Sequence, residues 1–206
     1  MKNLLIISSS FPPNSIISAK RPSKLAQHIS KFGWNPFVLT CASGCYYEVD
    51  PLLEKDIPSG VLLEKVRCRS LWAHIRILRE KYPNGIQRFA IQLLSAITKI
   101  TQPMVPLDER YPWALQAAKQ GILLVRQHTI DLLWATSPHI SNLYAAYLIA
   151  MKTGVPYILD YRDVSMEVKK NKSFLNRYNS RLEHTAVRNA AGISYVAPMQ
   201  EQILLK

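Results

Sequence analysis

The sequence predicts an α/β fold, a doubly wound and mainly parallel sheet with helices on both faces, and three observations lead there. Short apolar runs such as Leu4–Ile7 (LLII) recur along the chain. Between them lie stretches whose apolar residues repeat at steps of three and four, the period of a helix face. Strand and helix signals alternate about five times, which is the pattern of crossover units in a parallel sheet.

The first strand is expected over Lys2–Ser9 and the first helix over Arg21–Phe32, where Leu25, Ile29 and Phe32 share a face and Gly33 ends the run. Asn35–Cys41 (NPFVLTC) is the second strand, and Val61–Val66 the third, after the turn-rich Asp56–Gly60 (DIPSG). From Ile86 the residues Ile86, Phe89, Leu93, Ile97 and Ile100 mark an amphipathic helix that Pro103 closes. Pro112–Gln127 is another helix, with a stripe of Leu115, Ala118, Ile122 and Val125. Ile130–Thr136 is a strand, Ser137–His139 a loop, and Ile140–Lys152 a helix stopped by Gly154. Val155–Leu159 is the next strand, Leu175–Ala190 a helix, and Gly192–Val196 a last short strand. The whole reads as a single Rossmann-like domain over residues 1–206.

Composition narrows the function. The chain has 206 residues, 48% of them hydrophobic, and needs no staples to build a core. Its three cysteines, Cys41, Cys45 and Cys68, are an odd count that fits a reducing cytosol better than a disulfide framework. Cys41 and Cys45 have no Cys or His partner nearby in sequence, so no metal site is assigned. The formal charge is +12, from 26 basic and 14 acidic residues. Between Lys65 and Lys99, eight basic residues stand against Glu80 alone, so one face is expected to be strongly electropositive. No helix-turn-helix, zinc or RNA-binding signature accompanies that charge, and specific nucleic-acid recognition is not expected.

In an open parallel sheet ligands bind at the C-terminal ends of the strands. The first such loop, Ser8–Pro22, lacks G-x-G-x-x-G, which disfavours a nicotinamide dinucleotide. It places Lys20 and Arg21 at a helix start, where cations oppose the macrodipole unless an anion offsets them. Ser137-Pro138-His139 and Asp160-Tyr-Arg-Asp163 end consecutive strands and are expected to be neighbours. A histidine beside an Arg and two carboxylates can act as base, donor or phosphate partner. Asp160 and Asp163 should face opposite sides, so Arg162 can pair with one of them and leave the other for a hydroxyl-bearing ligand. An Asp–Arg pair that merely fixes the loop fits the same residues.

The segments LLIISSSFPPNS and AKRP, then FGWNPFVLT, DLLWATSPH and GVPYILDYRDVS, resemble in that order the N-terminal domain of GT-B glycosyltransferases of family 4, over nearly the whole chain. TSPH with DYRD is similar to the T-S-P-P and D-x-R-D-P-W segments of one branch, and FPP followed by Arg is the second match. The matching positions are Phe11, Pro12, Arg21, Ser137, His139, Asp160, Arg162 and Asp163. The first loop reads PNSIISAK where the family often has paired glycines, Val164-Ser165 stands for Pro-Trp, and His139 stands for a second Pro. No two glutamates are spaced as in the E-x7-E segment of the family's second domain.

The resemblance implies the acceptor-side domain of a glycosyltransferase that moves a sugar from a nucleotide-sugar to a glycan or lipid-linked acceptor, in cell-surface polysaccharide synthesis. The nucleotide-sugar domain is expected to be absent from this chain, so the chain by itself is expected to be inactive. His139 and Asp163 would orient the acceptor hydroxyl, and Arg21, Ser137, Asp160 and Arg162 would bind acceptor or phosphate, with no metal and no cofactor. A cytoplasmic protein is expected, held to the inner face of an anionic membrane through residues 65–100 or, alternatively, with that helix packed on the sheet and its charges solvated. The alternative function is a non-catalytic Rossmann-like module for a sugar phosphate or other anion.

Overall fold

The structure is a computed structural model of the 206-residue chain. It describes residues 1–42, 48–67, 75, 78–79, 81–82, 84–101, 107–162, 174–198 and 200. In chain order the strands are β1 (Lys2–Ile7), β2 (Trp34–Cys41), β3 (Leu62–Val66), β4 (Leu132–Thr136), β5 (Tyr157–Tyr161) and β6 (Gly192–Tyr195). The helices are α1 (Lys20–His28), α2 (Ile86–Thr101), α3 (Tyr111–Gln127), α4 (Ile140–Thr153) and α5 (Phe174–Arg188). The six strands form one sheet in the order β3-β2-β1-β4-β5-β6, and every pairing is parallel. This is the doubly wound Rossmann-like arrangement, whose strand order reverses between β1 and β4.

Apolar runs become central strands because both faces of the sheet are covered. Along β1, Leu5 and Ile7 enter the larger core with Leu39, Leu133, Leu143 and Ile149, while Leu4 and Ile6 enter a second core with Phe11, Ala26 and Val38. Successive residues of one strand thus serve opposite layers. Trp113, Ala117, Gly121 and Leu124 bury the inner face of α3. A Cβ at Gly121 would come within 2.3 Å of Ile149 Cδ1, so that glycine permits the close crossing of α3 and α4.

Three expectations about these elements are corrected. The helix expected over Arg21–Phe32 is α helical only to His28 and tightens to a 3-10 turn over Ile29–Phe32 before Gly33, whose φ is 81°. That change of pitch swings Phe32 off the buried face, and it is 74% exposed. On α3 the expected stripe holds at Ala118, Ile122 and Val125, which pack on the core, but Leu115 faces solvent, and the inward face is completed by Trp113 and the small residues Ala114, Ala117 and Gly121. The third concerns β5, which begins at Tyr157 and runs to Tyr161, two residues beyond the expected strand, because polar Asp160 finds partners inside the sheet.

Candidate functional site

The ends of β4, β5 and β6 and the start of α1 meet around one carboxylate. Register aligns Thr136 with Asp160 and Asp160 with Ser194 on three adjacent strands. Asp160 is 5% exposed, so its oxygens need close hydrogen-bond partners within the protein. Thr136 Oγ1 donates to its Oδ2 at 2.7 Å and Ser194 Oγ to its Oδ1 at 2.7 Å. From across the crevice Arg21 Nη1 donates to both oxygens, at 2.8 and 2.9 Å.

This explains the cation at the start of α1. The first turn of that helix holds no acid and no side-chain cap, and the anion that offsets Arg21 is Asp160, 139 residues further on. Only Nη1 of Arg21 is engaged there, and the side chain remains 40% exposed. The guanidinium is therefore anchored at one corner while part of it faces solvent, an arrangement able to hold an anion or a hydroxyl. Lys20 beside it is exposed.

Ser137 and Arg162 extend the same cluster. Ser137 N–H donates to the Asp160 carbonyl at 2.9 Å, and Ser137 Oγ accepts from Arg162 N–H at 2.7 Å. The Arg162 side chain does not take Asp160; its Nη1 donates to the Ile17 carbonyl at 3.3 Å, which ties the β5 end to the loop before α1. Arg162 lies just past the end of β5, where strand alternation no longer fixes its direction. His139 is half-buried at the N-cap of α4, and its side chain does not cap that helix. Asp163 lies outside the described residues. Phe11 is fully buried, and Pro12–Pro13 and Ser137–Pro138 are cis.

The structure adds residues that the local sequence did not single out. Asn142 on α4 accepts from Ser9 N–H at 3.0 Å and donates to the Thr136 carbonyl at 2.9 Å, which fixes the β1 loop to the end of β4. Asp108 receives Ser141 N–H at 3.0 Å and Ser141 Oγ at 2.7 Å, and caps α4 from outside. Arg110 is 1% exposed and reaches Cys41 Sγ at the end of β2. Asp108 carries a faint sequence signal, an acid shortly before the helix that Pro112 opens; Asn142 and Thr136 carry none, because their partners are distant.

Among the described residues no group of three or more His, Cys, Asp or Glu is placed to hold a metal ion, and no helix is long and apolar enough to cross a membrane.

No curated protein matches this sequence. Among solved structures, the glycosyltransferase SnogD from Streptomyces nogalater is similar with a TM-score of 0.48 and 13% identity, over 99% of this chain and 48% of its own. SsfS6, a glycosyltransferase from Streptomyces sp. SF2575, gives 0.43 and 14%, over 97% of this chain and 49% of its own. The apo UGT2 of Phytolacca americana gives 0.44 and 15%, over 81% and 30%. The chain thus spans half the length of these proteins or less. The family model described as a glycosyl transferase 4-like domain matches residues 23–206, most of the sequence, and the chain belongs to that family, the N-terminal half of GT-B glycosyltransferases.

Proposed function

We propose that this chain is the acceptor-side domain of a glycosyltransferase that acts on a glycan or lipid-linked acceptor in cytoplasmic steps of cell-surface polysaccharide synthesis. One observation carries the reading: a half-exposed guanidinium, Arg21, held by buried Asp160 at the strand ends beside the point where the strand order reverses. Membership of a glycosyltransferase family supplies the reaction class.

Transfer requires an acceptor hydroxyl to attack the anomeric carbon while the nucleotide diphosphate leaves. In this proposal Arg21 and Arg162 orient hydroxyl or phosphate groups of the acceptor, and Ser137 holds the backbone at Arg162 in place. His139 or Asp163 aligns the attacking hydroxyl and takes up its one proton as the glycosidic bond forms. Stabilisation of the departing diphosphate, the larger electrostatic contribution, belongs to a nucleotide-sugar domain outside this chain. Asp160 acts as the positioning residue for Arg21, since Arg21, Thr136 and Ser194 already occupy its oxygens.

Calorimetric titration with two probe sets tests this. Short oligosaccharides and saccharide phosphates should bind the chain, and Arg21→Gln should weaken the best of them about tenfold, the loss of one charge-assisted contact. UDP-glucose and other nucleotide-sugars should not compete. Tight binding of a nucleotide-sugar, with no binding of any saccharide probe, overturns the acceptor-side assignment.

A further inference from the structure

Pairing between β5 and β6 stops at Tyr161, opposite Tyr195, so the next residue, Arg162, has to find partners for its peptide groups elsewhere. Two side chains supply them. Arg162 N–H donates to Ser137 Oγ at 2.7 Å, and the Arg162 carbonyl accepts from Gln200 Nε2 at 2.9 Å. Ser137 follows β4 and Gln200 follows β6, so the residue beyond β5 is gripped by the loops of both neighbouring strands.

Gln200 is itself held on its other side. Its Oε1 accepts from Val196 N–H at 2.7 Å and from Ala197 N–H at 3.3 Å, and its own N–H donates to the Ala197 carbonyl at 2.9 Å. A side-chain oxygen reaching back three residues to a peptide N–H is one half of a capping box, a place that glutamate fills as well as glutamine. Capping alone therefore does not call for an amide nitrogen. The bond to Arg162 does, because a carbonyl accepts only from a donor and the oxygen of Gln200 already serves two N–H groups.

The tip of Arg162 is held more lightly than its backbone. Nη1 reaches the Ile17 carbonyl at 3.3 Å, and among the described residues Nε and Nη2 meet no acceptor. A guanidinium rooted on a backbone fixed at both N–H and C=O can keep its direction while donors remain free for a ligand.

We infer that Gln200 is a positioning residue for Arg162, fixing its backbone so that the free donors of the guanidinium meet a phosphate or hydroxyl in the crevice. The inference rests on the acceptor-side reading and adds to it a residue that lies 38 positions beyond the one it positions.

Titration of the 206-residue chain with glucose 1-phosphate tests it, followed by calorimetry and by the Arg162 Nε–H resonance, which Arg162→Gln identifies by its loss. In the parent that resonance should shift and saturate with the Kd that calorimetry gives. Gln200→Glu keeps the oxygen that accepts from Val196 and Ala197 and removes the donor to Arg162, so the Tm should stay as in the parent while the Kd rises about tenfold. Combined with Arg162→Gln, the same change should have no further effect, since no guanidinium is left to position. Equal weakening in both backgrounds overturns the inference, because the new carboxylate would then be acting through its charge alone. Binding that leaves the Arg162 resonance in place also overturns it. Binding that Arg21→Gln weakens and Gln200→Glu does not overturns this inference and leaves the acceptor-side reading standing, whereas a parent chain that binds neither this probe nor any other saccharide overturns both.

Discussion

Asp160 carries more of this molecule than its single charge suggests, because one carboxylate joins β4, β5, β6 and the start of α1 through Thr136, Ser194 and Arg21. Removing it leaves two hydroxyls and a guanidinium without their acceptor. Arg21 is 40% exposed and Ser194 is exposed, so both can return to water, whereas Thr136 is buried and keeps only the longer bond to the Ser137 carbonyl at 3.1 Å, so the loss is set mainly by Thr136. Asp160→Ala should therefore cost about 2 kcal/mol and lower the Tm by roughly 4–8 °C. Arg21→Gln should lower the Tm by less than Asp160→Ala does, since the buried carboxylate loses its cation but keeps Thr136 and Ser194 and gains a hydrogen-bonding amide at that position. Thermal melts of the two variants check this, and equal Tm values would show that the carboxylate does not support the strand ends. The pair was only half legible in the sequence. A cation at a helix start demands an anion, and an acid ending an apolar strand demands a donor. Nothing local joins two residues 139 positions apart, and the neighbour that looked suitable, Arg162, sits just beyond the strand whose alternation would have aimed it.

Element by element, the sequence located the strands β1–β6 and the α-helices α1–α5, because runs buried on both faces and stripes of helical period have few other structural meanings. The sequence did not mark the 3-10 helices Ile17–Ala19 and Pro51–Asp56, because a short 3-10 turn leaves no periodic stripe. It was less informative where two apolar stripes compete, as on α3, or where pitch changes, as after His28. The join between β5 and α5 depends on two tyrosines. The Tyr157 hydroxyl donates to the Ala186 carbonyl, and the Tyr161 hydroxyl to Glu183 Oε1 at 3.2 Å. Burial raises the pKa of both phenols well above their ordinary 10, and for Tyr161 the Glu183 carboxylate and its hydrogen bond raise it further. In the folded protein these phenols stay neutral at a pH where the unfolded chain has begun to ionise. Their contribution to stability is thus complete below pH 10 and is lost progressively as the pH rises above it. Alkaline titration followed by phenolate absorbance and circular dichroism should show a class of tyrosines that ionise together with unfolding. Tyr157→Phe with Tyr161→Phe should remove that class. Ionisation of all tyrosines near pH 10 with the fold intact would contradict the account.

At the scale of the whole molecule, all six strands point the same way, so the sheet has one functional edge and one structural edge. The structural edge carries the helix stops Gly33 and Gly154, whose positive φ values of 81° and 75° turn the chain back into β2 and toward β5. The functional edge carries the loops after β1, β4 and β5, joined by Asn142 to Ser9 and by Ser137 to Arg162. A ligand in the crevice should therefore act on loops distant in sequence, at one end of the sheet, through hydrogen bonds that already couple them. Hydrogen exchange of the chain with and without the best-binding saccharide probe tests this. Protection should rise together in Ser8–Asn14 and in Ser137–Asn142, and the amides near Gly33 and Gly154 should be unaffected. Asn142→Ala should uncouple the two segments, because it removes both the acceptor for Ser9 N–H and the donor to Thr136. Protection that appears instead around Gly33 and Gly154 would place the ligand at the opposite end of the sheet, and the crevice assignment would fall with it.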